Sequence, residues 1–229
     1  MSTIADNIAK VRERIREAAQ ASQRDPQAVG LLAVSKTKPA QAIREAHAAG
    51  QRDFGENYLQ EALAKQAELA DLDLVWHFIG PIQSNKTRPI AEHFAWVHSV
   101  DRLKIAQRLN DQRPAHLPPL NICLQVNVSG EASKSGCTPE ELPALAQAVT
   151  QLPRLRLRGL MTIPEPSDDP QAQRQPLARL RQLRDTLPGN LDTLSMGMSQ
   201  DLEAAIAEGA TWVRIGTALF GARDYGQPH

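Results

Sequence analysis

The chain alternates short apolar runs with longer stretches in which apolar residues recur every three or four positions. The short runs are typical of buried strands and the longer stretches of amphipathic helices. Helical patterns separate the predicted strands, and one additional amphipathic helix, with Ile4, Ile8 and Val11 on its apolar face, precedes the first of them. Eight strands are predicted: Val29–Ser35, Arg52–Phe54, Leu74–Ile79, Trp96–Ser99, Asn121–Val126, Leu157–Met161, Asp192–Ser195 and Trp212–Ile215.

This alternation predicts a parallel sheet, because neighbouring parallel strands need a crossover connection. Eight strands preceded by one extra helix favour a closed (β/α)8 barrel, a TIM barrel, over an open doubly wound sheet. A Rossmann-type fold would need a glycine fingerprint directly after the first strand, and Ser35–Pro39 is not one. With no internal repeat in the sequence, we expect one α/β domain over residues 1–229.

Several helix starts and two long loops are also predicted. Thr138 and Glu141 have capping-box spacing, and Asp101 and Ser199 are expected to be N-caps. We expect the second of the two loops to be a plain connection and not a lid over a site. The loops are two proline-rich stretches, Arg113–Pro119 and Pro164–Pro176.

The composition narrows the functional class. Lysine plus arginine total 26 and aspartate plus glutamate total 26, so the formal net charge is zero. This balance argues against nucleic acid as a partner, because binding the phosphate backbone needs clustered positive charge. No stretch approaches the ~20 apolar residues of a spanning helix, and the N-terminus lacks the apolar core of a signal peptide. We expect a cytoplasmic protein without a membrane contact, in its simplest form a monomer.

Cysteine and histidine usage add two expectations. Cys123 and Cys137 are the only cysteines, too few for a disulfide framework, so both thiols are expected to be reduced. The six histidines do not show the close spacing to cysteine or carboxylate that a metal site needs, so we expect no metal.

The end of the first predicted strand supplies a lysine. In a barrel of this kind the active site lies at the carboxyl ends of the strands, and Lys36 directly follows Leu31–Ser35. Burial there favours the neutral amine, the form that attacks an aldehyde to make a Schiff base. The alternative is that Lys36 extends to solvent at the rim, beside Lys38.

The last two strands end in loops suited to phosphate. Ser195–Asp201 and Arg214–Gly221 both combine glycine, hydroxyl groups and backbone N–H groups at a helix start. Barrels commonly bind phosphate after strands seven and eight, and Arg214 would add a charged donor. The alternative is that Gly197 and Gly216 serve tight turns and that Ser199 only caps its helix.

Other strand ends carry weaker candidates. His77 or Asn85 can face the site, although a lone histidine there is more often a hydrogen-bonded core residue. Glu56 is a candidate capping acid and Asn57 a candidate ligand contact, while the loop with Lys134 can simply be solvated. A lysine opposite a phosphate cradle suggests a ligand with both a phosphate and an aldehyde. Pyridoxal 5′-phosphate and the sugar phosphates of aldolases both meet that description, and the residues alone leave the choice open.

Several stretches spread over almost the whole chain resemble the pyridoxal phosphate homeostasis protein family. They are Leu32–Lys36, Phe54–Asn57, Trp76–Gly80, Gln83–Lys86, Gly159–Met161, Ser195–Ser199 and Arg214–Gly216. The resemblance implies a fold similar to the barrel domain of alanine racemase. It also implies pyridoxal 5′-phosphate bound as an aldimine to Lys36. The implied phosphate contacts are Ser199, Arg214, Gly216 and Thr217, and Asn57 and Met161 are expected to be further cofactor-binding residues.

The resemblance further implies a protein that buffers, protects and delivers the cofactor, with enzymes that require it as recipients and with no catalytic residue of its own. A racemase-like enzyme is the alternative. Such an enzyme needs a placed acid or base for the α-proton of its substrate. Alanine racemases take part of theirs from a second domain, which we do not expect after this barrel. Of the tyrosines, Tyr58 and Tyr225, neither lies at a predicted inner strand end.

Overall fold

The computed structural model describes residues 2–130 and 135–222, and in these parts the chain forms a closed barrel of parallel strands with helices outside. The strands follow one another around the barrel in chain order, and the last pairs with the first. The predicted (β/α)8 barrel is therefore confirmed. The strands are β1 (Gly30–Val34), β2 (Asp53–Glu56), β3 (Val75–Phe78), β4 (Trp96–Val100), β5 (Leu120–Gln125), β6 (Leu155–Met161), β7 (Thr193–Ser195) and β8 (Trp212–Ile215).

A helix follows each strand, and one additional helix precedes the barrel, as the sequence predicts. The helices are α1 (Ile4–Ala21), α2 (Ala40–Ala48), α3 (Leu59–Glu68), α4 (Thr87–His93), α5 (Leu103–Gln112), α6 (Leu142–Thr150), α7 (Pro170–Thr186), α8 (Leu202–Ala207) and α9 (Thr217–Phe220).

The residues of β1 show how the core divides into two layers. Successive side chains of a strand point to opposite faces. Leu31 and Ala33 belong to the large apolar cluster between the sheet and the helices. Leu32 and Val34 alternate with them and pack with Ile79 inside the barrel. A second inner cluster consists of Trp96, Cys123 and Met161.

The extra helix α1 takes a place in the outer layer next to α2, α8 and α9. It begins with a capping box, in which the Asp6 N–H donates to Thr3 Oγ1 at 3.0 Å and the Asp6 carboxylate accepts from the Thr3 N–H. Its apolar face, which includes Ile8 and Val11, is buried. Asn7 Nδ2 donates to the Leu219 carbonyl at 2.8 Å, so the helix also bonds to the segment that follows β8.

Two of the predicted N-caps are wrong. Helix α5 begins at Leu103, after Arg102 in the cap position, and Asp101 does not cap it. Helix α8 is preceded by Asp201, whose Oδ1 accepts from the Met198 N–H at 2.7 Å, so Ser199 does not cap it either. Before α8 the chain makes an additional turn over residues 199–201, whereas α5 begins one residue later than a cap at Asp101 would require.

The reciprocal bonds of the predicted capping box at Thr138 and Glu141 do form, at 3.0 and 3.1 Å. They close a turn, however, because α6 begins only at Leu142.

The prediction of a loop over Pro164–Pro176 is wrong for its second half. Helix α7 begins at Pro170, where Asp169 Oδ1 accepts from the Gln171 N–H at 3.1 Å, and Pro176 lies inside the helix. Proline at the first helical position costs nothing, whereas Pro176 removes one backbone hydrogen bond. The burial of Leu177 and Leu180 against the core outweighs this loss.

Three further findings concern the described residues. No helix there is long and apolar enough to cross a membrane. Cys123 and Cys137 are buried free thiols, and burial raises the pKa of each to about 12. No group of three or more histidine, cysteine or acidic side chains in residues 2–130 and 135–222 is arranged to hold a metal ion.

Candidate functional site

The carboxyl ends of the strands hold two neighbouring cavities. The first, of about 300 Å³, lies over the ends of β6, β7 and β8. The second, of about 390 Å³, is lined by residues at or just after the ends of β2, β3, β4, β5 and β6. In a barrel of parallel strands, this end is where side chains from several loops converge.

The first cavity brings together four of the predicted site residues: Ser199, Arg214, Gly216 and Thr217. Arg214 belongs to β8, and we call the two loops that carry the other three, residues 196–201 and 216–217, the cup. The first loop follows β7 and the second follows β8, so both are fixed by paired neighbouring strands. Hydroxyl groups, backbone N–H groups and one guanidinium therefore line the same concave surface.

A glycine sets the shape of the first cup loop. Gly197 has φ +104, and a Cβ added there would lie 2.6 Å from the Cβ of Ala205 in α8. Its carbonyl accepts from the Arg214 N–H at 2.8 Å, which ties the loop to β8. Glycine is therefore required at this position both for its backbone conformation and for the close approach of α8.

Arg214 places a buried positive charge beside the cup. Its Nη1 donates to Ser195 Oγ at 2.7 Å and its Nη2 to the Thr162 carbonyl at 2.9 Å. Burial lowers the pKa of Arg214 to about 10, while the Asp201 carboxylate acts in the opposite direction, so the side chain stays charged at neutral pH. Among the described residues it forms no ion pair. A desolvated cation without a carboxylate partner favours the binding of an anion.

Helix α1 supports the cup from outside. Arg14 Nη2 donates to the Ser199 carbonyl at 2.6 Å, and the same guanidinium forms a two-bond ion pair with Glu203 of α8. The extra helix therefore fixes the loop that carries Ser199. No motif in the sequence signalled this contact, because its partners are far apart along the chain.

The segment from Pro164 to Ser167 forms another wall of the first cavity. This part of the loop, expected from the sequence to be a plain connection, therefore borders the first cavity. Ser167 is held by α7, since Gln173 Nε2 donates to its carbonyl at 2.7 Å.

Lys36 follows β1, the strand that pairs with β8, so it lies on the side of the cup formed by the loop after β8, and the backbone on both sides of it is held by side-chain bonds. Lys36 itself is half-buried after β1. Lys65 Nζ donates to the Ser35 carbonyl at 2.7 Å and to Glu56 Oε1 at 3.0 Å, and the Ser35 hydroxyl donates to Glu56. The Thr37 N–H donates to Glu61 Oε1 at 2.7 Å, with Thr37 at φ 67. We call Glu56, Lys65 and Glu61 the acidic clamp, because two carboxylates and one ammonium fix the backbone on both sides of Lys36.

The sequence made Glu56 a candidate capping acid. The structure shows that it is instead a buried ion-pair partner of Lys65. Burial raises the pKa of Glu56, and this effect outweighs the opposing influence of Lys65 and Ser35. Helix α3 begins after Tyr58, which makes no side-chain capping bond and whose side chain is exposed. The ion pair contributes to the shape of the strand end more than to stability, since desolvation offsets much of its attraction.

Asn57 and Met161 occupy different places. Asn57 lines the second cavity, and its Oδ1 is buried without a hydrogen-bond partner among the described residues. A Cβ at Gly80 would lie 2.4 Å from the Asn57 carbonyl oxygen, so glycine lets the two strand ends approach. Met161 is fully buried and packs inside the barrel with Trp96 and Cys123. It is not one of the residues that line these two cavities.

The remaining candidates are separated from the mouth. His77 is fully buried, with its Nε2 2.9 Å from Asp53 Oδ1 and its Nδ1 2.9 Å from His98 Nε2. This agrees with the interpretation of His77 as a core residue. Asn85 is exposed in the short 3-10 turn Ser84–Lys86. Lys134 and Tyr225 lie outside the described residues.

Comparison with known proteins adds three findings. Residues 4–224 match the domain family described as "Alanine racemase, N-terminal domain". The "Pyridoxal phosphate homeostasis protein" of Pseudomonas aeruginosa is 81% identical over 228 residues, covering 100% of this chain and 99% of that protein. The structure of PipY from Synechococcus elongatus, with PLP bound, is 44% identical with a TM-score of 0.83, covering 96% of this chain and 100% of that one.

Alanine racemase from Corynebacterium glutamicum has a TM-score of 0.69 at 17% identity, covering 99% of this chain and 63% of that one. At this identity the likeness concerns the fold alone. It agrees with the expectation of a barrel similar to that of alanine racemase.

Proposed function

Since the chain belongs to the pyridoxal phosphate homeostasis protein family, we propose that it binds pyridoxal 5′-phosphate at the barrel mouth and thereby buffers and protects the cofactor. The observation that carries this proposal is the position of Lys36 at the same end of the barrel as the cup. An amine for the aldehyde and a cradle for the phosphate are thus offered to one ligand.

The residues present fit this cofactor. Arg214 is a buried cation without a carboxylate in direct contact within the described residues. The buried oxygens Thr37 Oγ1 and Asn57 Oδ1 have no hydrogen-bond partner there. Buried polar atoms are normally paired, so these two oxygens favour a ligand with polar groups next to Lys36. Thr37 Oγ1 can donate or accept, whereas Asn57 Oδ1 can only accept, so a ligand that carries both acceptors and a hydrogen-bond donor would satisfy them.

When bound, pyridoxal 5′-phosphate supplies an aldehyde that condenses with a primary amine and a phosphate that binds as an anion. We assign to Lys36 the covalent link, a Schiff base in which its Nζ replaces the aldehyde oxygen, which leaves as water. We assign the phosphate to Ser199, Arg214, Gly216 and Thr217. The acidic clamp holds the backbone on both sides of Lys36, so the side chain that carries the amine extends from a fixed point.

Asn57 and Met161 receive separate roles in this proposal. Asn57 contacts the cofactor through the buried oxygen that lacks a protein partner. Met161, fully buried inside the barrel with Trp96 and Cys123, contributes by packing that supports the cofactor site from within.

The function is the handling of a cofactor and not the turnover of a substrate. The relative at 81% identity is named a homeostasis protein, while the likeness to a racemase at 17% identity concerns the fold. Tyr58 is the tyrosine that the structure describes, and its exposed side chain is not placed as an acid or base for a buried substrate. The racemase alternative is therefore the less supported one.

The proposal has a cellular side as well. We infer that residues 1–229 act as one binding domain, as a monomer in the cytoplasm, and that enzymes which require the cofactor receive it. The zero net charge fits a protein that meets other proteins rather than nucleic acid.

The visible absorption spectrum of the purified protein with added cofactor tests the proposal. Wild type is expected to keep an absorbing adduct through desalting, and borohydride reduction is expected to fix it to the peptide that contains Lys36. Lys36→Ala is expected to lose the adduct. Lys38→Ala is the matched control, because Lys38 lies two residues away and donates to the Ala222 carbonyl.

Adduct formation that is equal in Lys36→Ala and wild type would overturn the assignment of Lys36. Absence of retained cofactor in wild type would overturn the binding function itself. Conversion of any member of an amino-acid panel, lost in Lys36→Ala, would establish the racemase-like alternative.

A further inference from the structure

A chain of hydrogen bonds crosses the interior of the barrel from the cup to the opposite face. It starts at Arg214 and passes through Ser195, which lies 2.7 Å from His98 Nδ1. It continues from His98 to His77 at 2.9 Å and ends at Asp53, again at 2.9 Å. Asp53 is the first residue of β2, at the amino end of the strands, and its side chain is 29% exposed.

The donor and acceptor properties of these groups allow the hydrogen bonds between Arg214 and Asp53 to run in one direction only. The ionised Asp53 carboxylate can only accept, so His77 Nε2 carries the hydrogen. Burial lowers the pKa of His77 and His98, with His77 and Arg214 lowering that of His98 further, so both rings are neutral. A neutral His77 therefore accepts at Nδ1 from the His98 Nε2–H.

The same reasoning fixes the other half of the chain. His98 accepts at Nδ1 from the Ser195 hydroxyl, whose oxygen accepts from Arg214. Each ring nitrogen makes one bond, the Ser195 hydroxyl makes one as acceptor and one as donor, and all donors point from Arg214 toward Asp53. Hydrogen bonds aligned in this way polarise one another in a low-dielectric interior.

Aromatic rings separate the chain from solvent. The His77 ring stacks on Trp96 with centroids 5.5 Å apart and meets the edge of Trp212 at 4.9 Å. His77 and His98 are fully buried. Of the carboxylates in the described residues, Asp53 is the one that hydrogen bonds connect to Arg214, while Asp201 influences Arg214 only through space.

We propose that Asp53 is the remote counter-charge of Arg214, and that Ser195, His98 and His77 are positioning residues that orient its guanidinium and transmit the charge at one face of the barrel to the ligand at the other. The proposal rests on the proposed function for the identity of that ligand. The direction of the chain does not depend on it.

The first test needs no ligand. In protein with ¹⁵N-labelled histidine, NMR distinguishes the ring nitrogen that carries the hydrogen. We expect His77 and His98 to be neutral and protonated at Nε2, with the surface residues His93 and His116 as internal references. A hydrogen on His98 Nδ1, or a doubly protonated His98 ring, would reverse the chain and overturn the proposal.

The second test asks whether the two faces are coupled. Titration with pyridoxal 5′-phosphate is expected to shift the ring ¹⁵N signals of His98 and His77 in wild type. Ser195→Ala is expected to abolish the response of His77, because the variant removes the hydroxyl between His98 and Arg214. A His77 signal that stays fixed on binding in wild type would overturn the proposal.

A third variant keeps the inference testable if Ser195→Ala folds poorly. Asp53→Asn removes the charge at the rim and keeps an acceptor, and it is expected to shift the absorption maximum of the bound cofactor. Asp73→Asn is the matched control, because Asp73 lies near the same face and pairs with Arg52 outside the chain. Equal spectra for the two variants would contradict the proposal. If wild type does not bind the cofactor, the proposed function fails, and inorganic phosphate serves as the probe in the NMR titration.

Discussion

Around Lys36 the backbone is held by charged side chains, whereas around Arg214 it is held by backbone conformation and by packing. Lys65 and Glu56 fix Ser35 through an ion pair that is almost fully buried. Gly197 shapes the cup by a positive φ and by its contact with α8. The first side depends on charge balance, and the second depends on space. The substitutions and conditions that disturb the backbone around Lys36 should therefore differ from those that disturb the backbone around Arg214.

Removal of one charge from the acidic clamp is expected to have the largest effect. Glu56→Gln leaves the Lys65 ammonium buried with only Glu61, half-buried, as its partner. We expect the free energy of unfolding to fall by about 3 kcal/mol, because the buried ammonium loses the more deeply buried of its two carboxylate partners. Urea unfolding measures this change.

The double variant Glu56→Gln with Lys65→Met is the control for this experiment. It removes both charges and should recover most of the lost stability. If the double variant is no more stable than Glu56→Gln alone, the loss does not come from the lysine that has lost Glu56.

The second largest effect is expected from a change of pH, which should affect stability in opposite directions through the groups near Arg214 and through Glu56 near Lys36. The pKa values of His77 and His98, in the chain attached to Arg214, are lowered by burial. On unfolding they return to about 6.5, so below that pH the unfolded state binds more protons. The free energy of unfolding should fall by about 2 kcal/mol between about pH 7 and about pH 5.5. Glu56 acts in the opposite direction, because its raised pKa makes the folded state bind a proton more tightly as the pH falls.

Urea midpoints at the two pH values test this expectation. His98→Asn should show about half of the pH dependence of wild type, since one of the two buried rings is gone. An unchanged pH dependence in this variant would assign the effect to other groups.

Gly197→Ala is expected to disturb the cup through steric overlap and backbone strain, without a change of charge. The new Cβ would lie 2.6 Å from Ala205, and the backbone would be strained at φ +104. Gly189→Ala is the matched control, because Gly189 has φ +101 and nothing within 4 Å of the added Cβ. We expect Gly189→Ala to cost about 1 kcal/mol of stability and Gly197→Ala about 2 kcal/mol, with a loss of cofactor affinity only in the latter. Equal costs in thermal unfolding would show that the contact with α8 is not important.

The smallest effect, a change in cofactor affinity, is expected from removing the hydrogen bond by which α1 supports the cup. Arg14→Met removes the donor to the Ser199 carbonyl, and we expect the affinity for the cofactor to fall about threefold. Arg16→Met is the control, because Arg16 belongs to the same helix and pairs with Glu13 on its own surface. A titration followed by absorption compares the two, and an equal affinity in both variants would exclude a role for this contact.

The periodicity of apolar residues was sufficient to predict the barrel, because each strand and helix shows its pattern locally. The position of Ser199 and Arg214 around one cavity was predictable for a similar reason, since the ends of neighbouring parallel strands meet at one end of the barrel. Helix starts were less predictable. Asp101 and Ser199 have the right side chains for N-caps, but the backbone enters the helix one or more residues later.

Contacts between distant residues were not predictable from one sequence. The sequence around Lys65 on α3 does not indicate that this side chain pairs with Glu56, the last residue of β2. The alternation of Trp96 and His98 in an apolar strand was a signal for an inward-facing polar residue. It does not show, however, that His98 lies between Ser195 and His77. Such links depend on the register of the closed barrel.

The support of the cup by α1 also has a consequence for the order in which the protein is made. Arg14 and Ser199 are 185 positions apart, and Asn7 and Leu219 are 212 apart. At the usual speed of translation, the first helix waits on the order of ten seconds or more for these partners. During that time the apolar face of α1 has no α8 or α9 to cover it. A nascent chain therefore cannot hold the cofactor until its last strand has joined its first, so cofactor capture reports the completion of the barrel.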